Sequence, residues 1–159
     1  LLARDVAERL SCAPDEMRGA VERALSEREA NFKGLRGALQ QLAVSWTGTL
    51  IASTVPGASG VRVIAVLLRE EHPELLLPLA TEIAKNERTV ALVMHGDTGQ
   101  LAFAQHPGTG KDLPDVLKQV LAQYAGKGGG TRDFVRAKLE KASNAEGALD
   151  VAKGLASRN

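Results

Sequence analysis

The sequence is poor in the residues from which catalytic, metal and cross-linked sites are usually built. It holds one cysteine and three histidines in 159 residues. Cys12 has no partner for an internal disulfide and no Cys/His cluster around it, so it reads as a bystander rather than a nucleophile or ligand. His72, His95 and His106 are separated by 23 and 11 residues, and no pair has the short spacing that sets two zinc ligands on one helical turn. His72, before Pro73, reads as a helix cap, and His95 and His106 as makers of polar contacts. No Gly-x-Ser-x-Gly elbow occurs. Neither metal hydrolysis nor triad chemistry is supported, and the expectation is a chain with no catalytic residue, metal ligand or cofactor of its own. No apolar run approaches the roughly 18 residues of a membrane span. The first ten residues carry Arg4, Asp5, Glu8 and Arg9, unlike a signal peptide. A soluble cytoplasmic protein without membrane contact is the default. The sequence also opens on Leu1, inside a helical pattern and without an initiator methionine, which reads as a piece of something longer with any catalytic domain upstream.

An excess of charge of one sign is missing too: 20 basic and 19 acidic residues leave a net charge of +1. The distribution is uneven. Residues 1–47 hold seven basic and seven acidic residues, residues 48–126 six and eight, and residues 127–159 seven and four, so the last segment is net +3. That is a modest footprint for a phosphate-bearing partner, and a solvated helix face would look the same.

What is present is ample apolar material, 44% of residues, in two textures. Residues 1–11 read as a short helix, with Leu2, Val6 and Leu10 every four residues. Pro14, Asp15 and Glu16 suit the start of a second, long helix reaching about residue 50. In it Leu25, Phe32, Leu39 and Trp46 repeat every seven residues, and Leu35 and Leu42 follow Phe32 and Leu39 by three, with Arg28 breaking that second position. This is the seam of a coiled coil, which predicts a dimerising helical arm over residues 1–53. One amphipathic helix lying on the following domain would explain the pattern as well.

Pro56, Gly57, Ser59 and Gly60 end the arm. Residues 61–68 are β-branched and apolar and read as a buried strand. A helix over residues 73–86, strands over 89–94 and 100–105 joined as a hairpin, and a helix capped by Asp112 and running to about Tyr124 follow. A short strand through Phe134 and Val135 comes next, and Ser143 with Glu146 predicts a capping box for a last helix. The fold class expected for residues 54–159 is α/β, a small mixed β-sheet with packed helices.

Between the Tyr124 helix and the Phe134 strand lies Gly126, Lys127, Gly128, Gly129, Gly130, Thr131, Arg132. Three consecutive glycines expose backbone N–H groups and allow positive φ, so a loop could wrap an anion, with Lys127, Thr131 and Arg132 as flanking donors. A flexible hinge fits the composition equally. Gly108, Thr109, Gly110 and Lys111 lack the remaining features of a Walker loop.

The stretch from Lys127 through Gly128, Gly129, Gly130, Thr131, Arg132, Asp133, Phe134 and Val135, with the helix before it and the strand from Val61, resembles the DHH-associated domain. That domain closes alanyl-tRNA synthetases, some alanyl-tRNA editing proteins and DHH-type phosphoesterases. The heptad helix resembles the arm preceding it in synthetases and longer editing proteins, so the likeness covers nearly the whole chain. Val135, Arg136 and Ala137 stand where the family usually has Ala, Gln and Gly, and Arg136 would turn a neutral donor into a charged one. The resemblance implies a tRNA-contacting C-terminal module that supports an upstream catalytic centre and does not hydrolyse by itself. Lys127, Gly128, Gly129, Gly130, Thr131, Arg132 and Arg136 are its expected phosphate-binding residues, Asp133 a pin for the loop and Phe134 a core residue. The alternative it implies is the substrate-binding lobe of a manganese-dependent DHH phosphoesterase acting on nucleotides.

Overall fold

The computed structural model describes residues 17–158. The helix expected over residues 1–11, Cys12 and the start expected at Pro14 to Glu16 lie outside the described residues. The chain divides into two compact units, Leu1–Ala38 and Leu39–Asn159. Helix α1 (Met17–Ser53) supplies the described part of the first unit and its last turns belong to the second. In the first unit Leu25 and Phe32 leave 54% and 53% of their surface exposed. The other two heptad leaders behave differently. Leu39 is buried and Trp46 half-buried in the apolar core of the α/β unit, together with Ala43, Leu50 and Ile51. From Leu39 onward the helix therefore lies on the following domain, and Leu39, Ala43 and Thr47, spaced by four, are the residues it buries.

The second unit is a five-stranded mixed sheet. Strand β1 (Arg62–Leu68) leads through a 3₁₀ turn at Pro73–Leu75 into α2 (Leu76–Ala84) and back to β2 (Thr89–His95), which pairs parallel to β1. Strand β3 (Gln100–Gln105) returns from β2 as the expected hairpin. Gly99, at φ +69°, closes that turn where a Cβ would lie 3.2 Å from the Leu139 carbonyl oxygen. Helix α3 (Leu113–Gln123) follows, then β4 (Gly126–Thr131), β5 (Phe134–Leu139) and α4 (Ala145–Ser157). The strand order is β1-β2-β3-β5-β4.

Two cores flank the sheet. Val90, Leu92, Met94, Leu101, Phe103 and Val135 face α3 and α4, and α4 meets them with Ala148, Ala152 and Ala156. Ile64, Ala91, Val93 and Ala102 face α2 and the last turns of α1. Every residue of β2 is consequently buried, as its unbroken apolar pattern requires of a strand covered on both faces. The Asp112 cap forms, its carboxylate accepting from the Asp115 N–H at 3.2 Å. The Ser143/Glu146 capping box does not. A 3₁₀ turn (Ala142–Asn144) supplies the entry to α4, the cap residue Asn144 makes no side-chain cap bond, and Glu146 instead pairs with Arg69 at 2.9 Å.

Thr47 is the one polar residue of α1 to be buried among the described residues, and its hydroxyl has no partner. Replacing it with the isosteric valine removes an unsatisfied buried hydroxyl and leaves the packing unchanged. Thr47→Val should stabilise the chain by about 1 kcal/mol. Urea unfolding measures this, and a destabilised variant would show that the hydroxyl is bonded in solution.

Candidate nucleic-acid interface

The glycine run is not a loop. Gly126–Thr131 is β4, the edge strand of the sheet, and it forms a hairpin with β5 in the register Lys127↔Lys138, Gly128↔Ala137, Gly129↔Arg136, Gly130↔Val135. None of its glycines takes a positive φ; those that do are Gly60, Gly99 and Gly110. The expectation of an anion-wrapping loop or a hinge is corrected by sterics. A Cβ on Gly128 would stand 2.2 Å from the Ala137 Cβ, one on Gly130 2.2 Å from the Phe134 carbonyl oxygen, and one on Gly126 2.6 Å from the Lys138 carbonyl oxygen. No side chain fits at these distances. The glycines are there because β4 presses against β5, which overrides their poor strand propensity.

Gly129 is different: a Cβ there would meet nothing within 4 Å. Side chains alternate along a strand and cross-strand partners share a face. Lys127 and Thr131 therefore lie on the side of Gly129, joined by its partner Arg136 and by Lys138, the partner of Lys127. All four are exposed. Two lysines directly opposite each other repel, and none of the salt bridges among the described residues involves Lys127, Arg132, Arg136 or Lys138. The hairpin thus presents an open, cationic patch with a bare backbone at its centre.

The tip of the hairpin is fixed by a residue that sequence reasoning missed. Gln105, 3% exposed at the end of β3, donates to the Asp133 carboxylate at 2.8 Å, the Lys111 carbonyl at 2.7 Å and the Arg132 carbonyl at 3.2 Å. Its own side-chain oxygen accepts from the Lys111 N–H at 3.1 Å, and its backbone N–H donates to the Asp133 carbonyl at 3.0 Å. Asp133 therefore pins the turn as expected, through its carboxylate as well as its backbone. Arg132 reaches the Gly110 carbonyl at 3.4 Å, which draws it toward residues 106–112 and sets it at the tip of the hairpin. Phe134 packs against the core beneath α2.

Of the expected site residues, the structure gathers Lys127, Gly129, Thr131 and Arg136 on one face. Gly128 and Gly130 are turned against β5, and Arg132 is at the tip. Lys138 belongs to the patch and was missed. Its signal was the period-two spacing from Arg136, which becomes visible only when the strand is extended to Leu139. The histidines are structural. His72 and His106, each before a proline, accept from the N–H groups of Glu74 at 3.2 Å and Gly108 at 3.3 Å. His95, 2% exposed, bridges the Glu71 carbonyl at 2.9 Å and the Thr98 N–H at 3.3 Å. The Glu71 carboxyl is held below its usual range, first by the Arg69 backbone N–H that donates to it at 2.8 Å.

No family model matches the chain. Alanine–tRNA ligase of Pseudomonas syringae pv. syringae (strain B728a) is 31% identical over an alignment of 139 residues that covers 84% of this chain and 15% of the ligase. The enzyme of Pseudomonas savastanoi pv. phaseolicola (strain 1448A / Race 6) is 30% identical with the same coverage. The chain thus spans 15% of the length of these relatives. Among solved structures, the C-Ala domain of Aquifex aeolicus alanyl-tRNA synthetase superposes with a TM-score of 0.54 at 19% identity, covering 64% of this chain and 95% of that domain. RecJ from Thermus thermophilus, in complex with Mn²⁺, superposes with a TM-score of 0.60 at 16% identity, covering 98% of this chain and 27% of RecJ. The resemblance read from the glycine run is borne out: the chain is similar in sequence to alanyl-tRNA synthetases and shares the fold of their C-Ala domain and of part of RecJ.

The steric account separates two adjacent glycines. Gly128→Ala forces β4 off β5 and should cost about 1–3 kcal/mol, whereas Gly129→Ala should melt with the parent. Thermal unfolding of the two variants checks this, and equal melting temperatures would show that the glycines do not seat the strand.

Proposed function

We propose that the chain is a tRNA-binding module of the alanyl-tRNA synthetase type. It would form the C-terminal region of a cytoplasmic synthetase or alanyl-tRNA editing protein and hold the nucleic acid for a catalytic centre elsewhere in that protein. The observation that carries this reading is the cationic patch around Gly129, where Lys127, Lys138 and Arg136 meet with no carboxylate paired to them among the described residues. Phosphate oxygens accept from these donors, and the missing side chain at Gly129 lets a sugar-phosphate backbone come close. Alternate N–H groups of β4 point away from β5 and supply further donors along the free edge. Gly128 and Gly130 hold the strand in place, and Arg132 extends the charge to the tip. The likeness in fold to RecJ supports a second reading, the substrate-binding lobe of a manganese-dependent DHH phosphoesterase acting on nucleotides. Sequence similarity of 31% to a ligase favours the first.

The exposed apolar residues of the first unit, Val21, Leu25, Phe32 and Leu35, support a homodimer through the helical arm. Leu39 is not available to that seam. Leu25→Asp combined with Phe32→Asp should yield monomers while the α/β unit stays folded. Sedimentation of both proteins decides, and an unmodified chain that is already monomeric at high micromolar concentration would reject the dimer.

Gly129→Val, Arg132→Ala and Arg136→Ala, each checked by a thermal melt, should all weaken tRNA binding. The arginine variants should lose about 1–3 kcal/mol and flatten the salt dependence by about one phosphate equivalent each. Titration with tRNA at two salt concentrations measures both. A folded Gly129→Val that binds like the parent would remove the patch from the interface.

A further inference from the structure

The sheet has a second free edge. Among the described residues, strand β1 pairs only with β2. The Arg62 N–H donates to the Arg88 carbonyl at 2.8 Å and the Leu68 carbonyl accepts from the Gly96 N–H at 2.7 Å, so the even-numbered residues of β1 turn their backbone groups toward the β2 side. In a strand the N–H and C=O of one residue point the same way and alternate along the chain. Those of Val63, Ala65 and Leu67 therefore point outward. All three residues are half-buried, and none of these groups has a hydrogen-bond partner among the described residues.

At its Val63 end this ladder borders a cleft of about 250 Å³. Thr54, Val55 and Ser59 contribute to it from the loop after α1, Lys153 and Ser157 from α4, and Val63 from β1. The loop is held in position from three sides. Arg62 Nε donates to the Thr54 carbonyl at 3.0 Å, the Arg88 guanidinium to the Ser59 carbonyl at 2.7 Å, and the Gly57 N–H to the Val61 carbonyl at 2.9 Å. Val55, 85% exposed, stands at the cleft as an unpartnered apolar side chain. Lys153 is the only charged residue lining it and takes part in none of the salt bridges among the described residues.

We propose that this edge binds an extended peptide bearing carboxylates, which adds to the sheet as a further strand beside β1 and sets an acidic group on Lys153. Strand addition draws affinity from main-chain hydrogen bonds and selectivity from the pockets for alternate side chains. Here the selecting features are Val55, which takes an apolar side chain, and Lys153. A second copy of this chain would have to bring its own flanking loop and helix against those of the first, which a single extended peptide does not. A nucleic acid lacks the regular N–H and C=O ladder that the edge requires.

The test uses amide NMR of the full chain. The probe is an acetylated hexapeptide of alternating valine and threonine ending in two glutamates, beside the same peptide N-methylated on alternate residues. Without peptide, the amides of Val63, Ala65 and Leu67 should exchange with solvent faster than those of Ile64 and Val66. The probe should shift and protect the three outward amides, the methylated peptide should not bind, and Lys153→Glu should weaken binding about tenfold. Lys153 is exposed and packs in neither core, so this variant folds as the parent does. Outward amides already protected before peptide is added, including by self-association that grows with concentration, would overturn the proposal. So would binding that survives N-methylation, or no response at millimolar peptide.

Discussion

Strand β4 lies closer to β5 than a side chain at Gly126, Gly128 or Gly130 would allow, and the chemistry of that end of the sheet follows from this contact. With a Cβ on Gly126, Gly128 or Gly130 the two strands would have to separate. Lys127 would then leave Lys138, and Gly129 would no longer sit flush between them. The contact is secured at the tip by Gln105, whose buried amide ties Asp133, Arg132 and Lys111 together. A buried amide with its bonding capacity so fully used is worth more as an anchor than its separate bonds suggest, because removing it orphans several groups at once. Backbone fit along the strand and a polar anchor at the turn together make a rigid platform from a sequence that looks flexible.

The charges on that platform are arranged against the stability of the isolated chain. Lys127 and Lys138 oppose one another across the hairpin, with Arg136 on the same face. A carboxylate is near at hand, yet Asp133 commits its side-chain oxygen to Gln105. Glu82 and Glu146 are engaged by Lys85 and Arg69. Repulsion that the fold leaves unrelieved is of the kind that a polyanion, once bound, would relieve. Because the patch is exposed, that relief is screened by salt over about 10 Å at moderate ionic strength.

Much of the fold was legible in the sequence, because its signals were local. The β-branched runs marked β1 and β2, the Gly96 to Gly99 turn marked the hairpin, and Asp112 marked a helix start. The signals that failed were ambiguous at short range. Leu39 and Trp46 satisfy a heptad seam, yet they also lie on the broader stripe of a single amphipathic helix, and only Ala43 and Thr47, which the heptad omits, reveal that the sheet is the partner. The glycine run has the composition of a loop, and the neighbour that makes it a strand lies across a turn. At the site, Lys127 and Arg136 were readable as donors. Their common face was not, since it depends on the hairpin register, and Gln105 and Lys111 enter only through contacts that local pattern does not encode.

The two edges of the sheet meet the same difficulty by opposite means. An unpaired edge offers its N–H and C=O groups to any extended chain, and proteins blunt such edges with charge, short length or cover. Strand β4 is blunted by charge and by glycines that give a joining strand little side chain to pack against. Strand β1 is apolar between Arg62 and Leu68, with no lysine or proline to discourage pairing. At its Val63 end the loop pinned by Arg62 and Arg88 and the end of α4 border it with a cleft. Charge at one edge favours a polyanion over a peptide strand. The outward N–H and C=O ladder at the other suits an extended strand, so the two edges of one small sheet differ in the chemistry they offer.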